Sequence, residues 1–213
     1  MQSVLRPGDW FIDIGANHGS YSLLASKLVG RAGYVTSVEA NPEIAACLRK
    51  SMQLNCDGYS SVIECALGDR SGTISFHFNP IGSGSGSLQA SQVERGGLAT
   101  DVRLATFDEV IPWRESAAER ILVKCDVEGA EHAVFRGAEA FLREKRPTLV
   151  FECNPAGVAA AGSSLQDVLQ FLSDVGYTQF CDSRDFPRRT PRGELDVERM
   201  GDFVALGRGC EPS

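Results

Sequence analysis

The sequence predicts an α/β fold, a largely parallel sheet covered by helices on both faces, and three observations predict it. Short apolar runs suited to buried strands alternate with stretches whose apolar residues recur at helical spacing. A glycine-containing turn, Asp13-Ile14-Gly15-Ala16-Asn17-His18-Gly19, joins the first run to the first helical stretch. An acid, Glu39, closes the second run about 20 residues beyond that turn.

The elements follow in order. Trp10-Phe11-Ile12-Asp13-Ile14 is the first strand, and a helix follows with Tyr21, Leu24, Ala25 and Leu28 expected to face inward. Tyr34 to Glu39 is the second strand. Asn41 then caps a helix whose first turn holds Pro42, where a missing N–H costs nothing. Ile44, Cys47, Leu48 and Ser51 are its expected buried side. A third strand spans Ser61 to Ala66. An insert follows, with an alternating Ile74/Phe76/Phe78 strand, a partner near Val102–Leu104, and a flexible loop between them at Gly82–Ser87. That loop has the composition of a lid or of an ordinary surface loop.

Ile121 to Asp126 is the fourth strand of the main sheet. One helix carrying Val134, Phe135, Ala138, Phe141 and Leu142 comes after it. Thr148 to Glu152 is the fifth strand. It precedes a helix opened by Ser163 with Gln166 in capping-box position, lined by Leu165, Val168, Leu169 and Leu172, and ended by Gly176. Strands near Tyr177–Cys181 and Phe203–Leu206 finish the chain. No repeat and no interdomain linker interrupts this pattern, so residues 1–213 are read as one domain.

Composition narrows the function. The formal charge of −7 argues against nucleic acid as a partner, because neutralising phosphates needs clustered Lys and Arg. The seven cysteines form no C-x-x-C pair, which fits reduced thiols rather than a structural zinc site. No apolar run is long enough to span a bilayer and no secretion signal opens the chain, so the expected location is cytoplasmic, without a membrane partner.

The chemistry concentrates at the crest of the expected sheet. Gly15 permits a tight turn and close approach of a ligand to the backbone. A dinucleotide fingerprint needs G-x-G-x-x-G, but Asn17 occupies the second glycine position and the last glycine comes early. The spacing favours a smaller ligand with an amino-acid head group. Glu39 is placed to accept both hydroxyls of a ribose.

These segments carry a resemblance. Asp13 to Gly19, Val38-Glu39-Ala40-Asn41-Pro42, Ala66-Leu67-Gly68-Asp69, Thr106-Phe107-Asp108 and Lys124-Cys125-Asp126-Val127-Glu128-Gly129-Ala130-Glu131 recur in this order in FkbM-type methyltransferases. The chain resembles that family over about residues 8–207. The resemblance implies a Rossmann-like class I methyltransferase fold. Its sheet would be seven-stranded and mostly parallel, with the last strand antiparallel and helices on both faces. The β-rich insert would lie between strands three and four. It further implies S-adenosylmethionine as cofactor, S-adenosylhomocysteine as product, and methyl transfer to a hydroxyl oxygen of a small-molecule acceptor such as a sugar or polyketide-like scaffold.

Matched position by position, Asp13, Gly15, Ala16, Asn17 and Gly19 surround the methionine part. Glu39 and Ala40 hold the ribose, and Ala66 and Leu67 border the adenine. The chain departs from the family at His18, which adds a polar group to the turn, and at Cys125, a small apolar substitute for an aliphatic residue. Relatives often carry an N-terminal helical segment that closes the substrate pocket. Flanking domains of a larger protein are therefore compatible with the sequence.

Transfer to an alcohol needs a proton acceptor or a metal. Asp126, Glu128 and Glu152 leave the fourth and fifth strands where open α/β sheets bind ligands. Asp126 is the first choice for the methyl-transfer centre, with Glu128 or Glu152 as proton acceptor or substrate clamp; Asp126 and Glu131 also suit plain helix caps. The three carboxylates can cradle Mg²⁺, but their spacing is not diagnostic and no metal site is assigned. His132 is read as a solvated side chain. Arg184, Arg188, Arg189 and Arg192 form a loop cluster suited to solvent or to an anionic substrate group. Three rival readings remain: a methyltransferase acting on protein or RNA, a non-catalytic cofactor-binding module, and a nicotinamide dehydrogenase.

Overall fold

The structure is a computed structural model describing residues 4–79, 82–87, 97–186, 195–196 and 200–207, with backbone alone at 79 and 82–87. Its large sheet contains β1 (Trp10–Ile14), β2 (Tyr34–Glu39), β3 (Tyr59–Glu64), β8 (Ile121–Cys125), β9 (Thr148–Cys153), β10 (Phe180–Asp182) and β11 (Gly201–Ala205). Their spatial order is β10-β11-β9-β8-β1-β2-β3. All neighbours run parallel except around β11, which is antiparallel to both β9 and β10. The chain moves outward from β1 through β2 and β3, then returns to β8 on β1's other side. That reversal opens a crevice at the carboxyl ends of the strands.

Both faces of the sheet are covered because the strand pleat sends alternate side chains to opposite sides. Trp10, Ile12 and Ile14 join Val123, Leu149 and Phe151 in one core, while Phe11 joins Val35 and Leu122 in the other. Each such fully buried side chain contributes roughly 1.5–3 kcal/mol. Among the described residues no helix is long and apolar enough to cross a membrane.

Helix α1 (Ser20–Val29) buries Ser22, Ala25, Ser26 and Val29, so the expected face is rotated and Tyr21 and Leu24 are exposed. The reason is that both serines are satisfied internally. Ser22 Oγ donates to Asp13 Oδ2 at 2.6 Å and lies 2.8 Å from Ser37 Oγ, and Ser26 Oγ donates to the Leu23 carbonyl. A hydroxyl with a partner can be buried. Helix α2 (Pro42–Asn55) is capped as expected, with Asn41 Oδ1 accepting from the Glu43 and Ile44 N–H groups. It buries Ala45, Leu48 and Met52; Cys47 is exposed, and Ile44 and Ser51 are half-buried.

The insert forms a second sheet, in the order β4-β7-β5-β6, from β4 (Ala66–Leu67), β5 (Gly72–Asn79), β6 (Gly82–Ser87) and β7 (Leu98–Ala105). Two expectations change here. The third strand of the main sheet ends at Glu64, and Ala66-Leu67 belongs to the insert. Gly82–Ser87 is a strand antiparallel to β5 rather than a flexible loop, since ladder bonds use only backbone groups.

The single helix expected after β8 is two: α4 (Glu131–Arg136) and α5 (Glu139–Lys145), separated at Gly137–Ala138. Between them and the insert lie the short helix α3 (Phe107–Val110) and a 3₁₀ turn at Trp113–Glu115. Asp108 opens α5 from outside, its carboxylate accepting from the Ala140 and Phe141 N–H groups at 2.9 and 3.1 Å. After β9 comes α6 (Pro155–Ala160), which the sequence pattern did not announce, and α7 (Leu165–Asp174). Ser164, not Ser163, caps α7, accepting from Asp167 N–H at 3.2 Å. The predicted inward leucines and Val168 are buried, and Gly176 follows the helix with φ +106°.

Candidate active site

The turn after β1 is held by backbone hydrogen bonds. The N–H groups of Gly15 and Ala16 both donate to the Val38 carbonyl at 3.0 Å, fastening the turn to β2. Gly15 has φ +76°, and a Cβ there would stand 1.9 Å from the Asp126 carbonyl oxygen. The close neighbour that requires glycine is therefore the chain leaving β8, not a ligand. Asn17, with φ +51°, turns its N–H onto Glu39 Oε2 at 2.9 Å, and Asn41 N–H donates to Oε1 at 2.8 Å. Burial raises the Glu39 carboxyl above its ordinary value, and these N–H groups oppose the rise.

Beyond this turn lies a cleft of about 480 Å³, within the range of small-molecule sites. Gly15, Ala16, Asn17, His18, Glu39, Ala40, Ala66, Leu67, Asp126, Glu128 and Glu152 all line it. Asp13 and Gly19 are not among its lining residues. Asp13 is buried beneath the turn against Ser22, and burial raises its carboxyl. Gly19 starts α1 and packs on Leu48.

Among the lining side chains that the sequence did not single out are Tyr21, Phe76, Phe78 and Lys124. Phe76 and Phe78 stack with ring centroids 6.3 Å apart and make an apolar wall beside Ala66 and Ala40. Their alternation in the sequence marked one face of a strand, but not which cleft that face would meet. Lys124 stands two residues before Asp126, the spacing that puts two strand residues on one face, and that was the available signal.

The far end of the cleft is a cluster of coupled charges. Lys124 Nζ donates to Asp126 Oδ2 at 2.7 Å and sits 4.6 Å from the centre of the Tyr21 ring. Burial opposes its charge, but Asp126 and Asp13 hold the ammonium above its ordinary pKa. Asp126 and Glu152 share a hydrogen bond. That bond, with burial, pushes Glu152 up to about 8; burial also acts on Asp126, but Glu152 and Lys124 bring it below the usual carboxylate range. A hydrogen bond between two carboxyl groups needs a proton, which the pair holds between them. Burial and the Asp126 charge raise Glu128. One oxygen from each of Asp126, Glu128 and Glu152 lies within 4.8 Å of the others.

His132 lies elsewhere. It is half-buried in a neighbouring cleft, with Nδ1 2.6 Å from Ser163 Oγ and its ring edge-on to Phe171, so it is not simply solvated. Arg184 is engaged bidentately by Asp182 at 2.9 and 2.7 Å, while Arg188, Arg189 and Arg192 lie outside the described residues.

The strand order, with a cleft at the reversal point and an acid ending β2, defines a Rossmann-like α/β domain. Comparison with known proteins narrows the class. Residues 13–178 match the family described as the methyltransferase FkbM domain. The chain belongs to that family. Among solved structures it is similar to methyltransferase FkbM from Methylobacillus flagellatus KT, with TM-score 0.58 and 15% identity, covering 95% of this chain and 48% of that one. It is also similar in fold to precorrin-6y C5,15-methyltransferase from Geobacter metallireducens GS-15, with TM-score 0.51 and 13% identity over 97% of this chain and 84% of that one. A protein-L-isoaspartate O-methyltransferase of Aeropyrum pernix is 38% identical over 66 residues, 31% of this chain and 25% of that protein. The chain thus spans about half of the FkbM structure and a quarter of the A. pernix protein.

Proposed function

We propose that this domain transfers the methyl group of S-adenosylmethionine to a hydroxyl oxygen of a small molecule. The observation that carries the reading is one cleft with two dissimilar ends: a backbone cradle at Gly15–Glu39 and the charge cluster Lys124–Asp126–Glu128–Glu152.

The residues fit the donor. A carboxylate has about four acceptor directions, and the Asn17 and Asn41 N–H groups leave Glu39 free capacity for a ribose diol. Phe76, Phe78 and Leu67 offer the base an apolar slot. The turn from Gly15 to His18 receives the amino-acid tail. When bound, the donor supplies a sulfonium whose methyl group is already electrophilic.

The chain's own residues then orient the acceptor and move one proton. The donor would supply the methyl carbon to a lone pair of the acceptor oxygen, its S–C electron pair leaving with sulfur as a neutral thioether, while Asp126, Glu128 and Glu152 would hold that oxygen in place. In-line placement within about 3 Å accounts for several kcal/mol of the barrier. The hydroxyl proton goes to Glu128. Glu128 lines the cleft beside Asp126, and burial and the Asp126 charge raise its basicity, which favours it as the acceptor. The Asp126–Glu152 pair, with Lys124 bonded to Asp126, would line the methyl end of the donor and hold the acceptor there.

The test is calorimetry with S-adenosylhomocysteine, followed by transfer of labelled methyl from S-adenosylmethionine to a panel of small alcohols and sugars. Micromolar binding and labelled ether are expected. No heat with either form of the cofactor, on folded protein, ends the proposal. The partial likeness to the A. pernix enzyme favours one second reading, a protein acceptor. An isoaspartyl peptide in the same panel tests it; label there and on no small alcohol would replace the first reading.

A further inference from the structure

The chain between β8 and α4, Asp126 to Ala130, carries two of the cleft's carboxylates in a conformation that its own residues do not favour. Glu128 has φ +53°, the left-handed region, in a residue with a full side chain. Gly129 follows with φ +104°, and a Cβ on it would stand 2.3 Å from the Gly157 carbonyl carbon. From the other side, Asp126 N–H donates to the Ile14 carbonyl at 3.0 Å. A strained turn persists only where its surroundings over-determine it.

Glu131 supplies the clamp from within. Its Oε1 accepts from Val127 N–H at 3.2 Å and from Gly129 N–H at 3.3 Å, bracketing Glu128. Both donors precede α4, whose N-cap, Ala130, makes no side-chain capping bond. The side chain therefore folds back onto the turn, and its carboxylate also accepts from its own N–H at the start of α4. It is 2% exposed, and Oε2 has no hydrogen-bond partner in the described structure. A buried acid with an unused oxygen is a poor contribution to stability alone.

We infer that Glu131 is a positioning residue that holds Glu128 and Asp126 in the cleft by accepting both N–H groups of the turn between them. Carbonyl-type acceptance is what the role needs, not negative charge. Consistently, burial pushes the Glu131 carboxyl up to about 7. The Cys125 and Cys153 thiols and Asp126 are the ionisable groups facing it, and burial raises both thiols. A Gln, whose carbonyl reaches the same N–H groups, should replace it. Met, of similar length but without an acceptor, should not.

The inference rests on the assignment of the cleft to the methyl donor, and calorimetry on the unaltered protein tests that assignment separately. The test of the clamp needs no acceptor. In ¹⁵N-labelled protein, the Lys124 ammonium bonded to Asp126 should give a slowly exchanging Nζ signal, and the Val127 and Gly129 amides report the turn. Glu131→Gln should keep that ammonium signal and bind S-adenosylhomocysteine within about threefold of the unaltered protein. Glu131→Met should lose the signal, shift both amides and bind at least tenfold more weakly, while melting as one cooperative unit. Should Glu131→Met fail to fold, Glu131→Asp, one methylene too short, is the milder break and should give the same losses. The clamp is wrong if the Met or Asp variant keeps the ammonium signal and both amide shifts, or if Gln loses them as fully as Met.

Discussion

The two ends of the cleft are built from different materials. At the Gly15–Glu39 end the backbone does most of the work: N–H groups of Gly15, Ala16, Asn17 and Asn41 fix the turn and the single acid it surrounds. At the Asp126–Glu152 end, side chains hold one another, with a lysine, a shared proton and a strained turn setting which group is charged. Backbone hydrogen bonds do not titrate and depend on main-chain geometry, whereas a charge cluster titrates and depends on which side chains it holds. In the function proposed above, the first end grips the cofactor and the second carries the chemistry. Gly15 joins them, because its missing side chain lets the turn rest on the Asp126 carbonyl.

That joint gives the largest expected effect. Gly15→Ala places a Cβ 1.9 Å from a backbone oxygen, at φ +76°. The strain of a left-handed non-glycine and the overpacking together cost roughly 2–5 kcal/mol. Thermal melting should show that loss, and calorimetry should show no S-adenosylhomocysteine binding in the protein that remains folded. A variant that melts and binds like the parent would mean that the two ends are mechanically independent.

The next effect separates the ends. Glu39→Ala should weaken S-adenosylhomocysteine binding by roughly 30-fold to 100-fold, the loss of a charge-assisted pair of hydrogen bonds. Asp126→Asn should change that affinity by only a few-fold, because Asn keeps the shape and gives up the charge. Its turnover, measured on whichever acceptor the labelled-methyl panel identifies, should fall at least 100-fold, in the range of a lost electrostatic group. The division of labour fails if Glu39→Ala leaves affinity unchanged or Asp126→Asn leaves turnover unchanged.

The same contrast explains what the sequence could show. The cradle end was legible because its parts are separated by spacings that strand and turn geometry impose: a glycine after the first strand, an acid at the end of the second, Asn41 before Pro42. The positions of Asp126, Glu128 and Glu152 were legible for the same reason, as residues leaving strands at one edge. Their protonation was not, since it depends on β8 and β9 being neighbours and on Lys124 lying against Asp126. The α1 face was misjudged because hydrophobic periodicity counts serine as polar, and only the fold reveals that Ser22 finds Asp13 and Ser37. Gly82–Ser87 read as a loop for a related reason: its strand is made by pairing with β5 and not by side chains suited to a strand.

The smallest effect concerns stability against pH. Glu152 is pushed up to about 8 and Glu131 up to about 7 in the folded protein, both from an ordinary glutamate value of 4.5. A raised folded pKa means that the native state binds more protons than the unfolded chain between the two values. The contribution of each group is therefore complete below about pH 4.5 and is lost as pH rises through 7 for Glu131 and 8 for Glu152. Asp126 is shifted the other way, but its window lies below its ordinary 3.8, so it does not offset them at neutral pH. The melting temperature should decline by a few degrees between about pH 5 and pH 9, and Glu152→Gln should flatten the upper part of that decline. Melts that rise over this interval, or a Gln variant with the parent's slope above pH 7, would show that Asp126 and Glu152 do not share a proton.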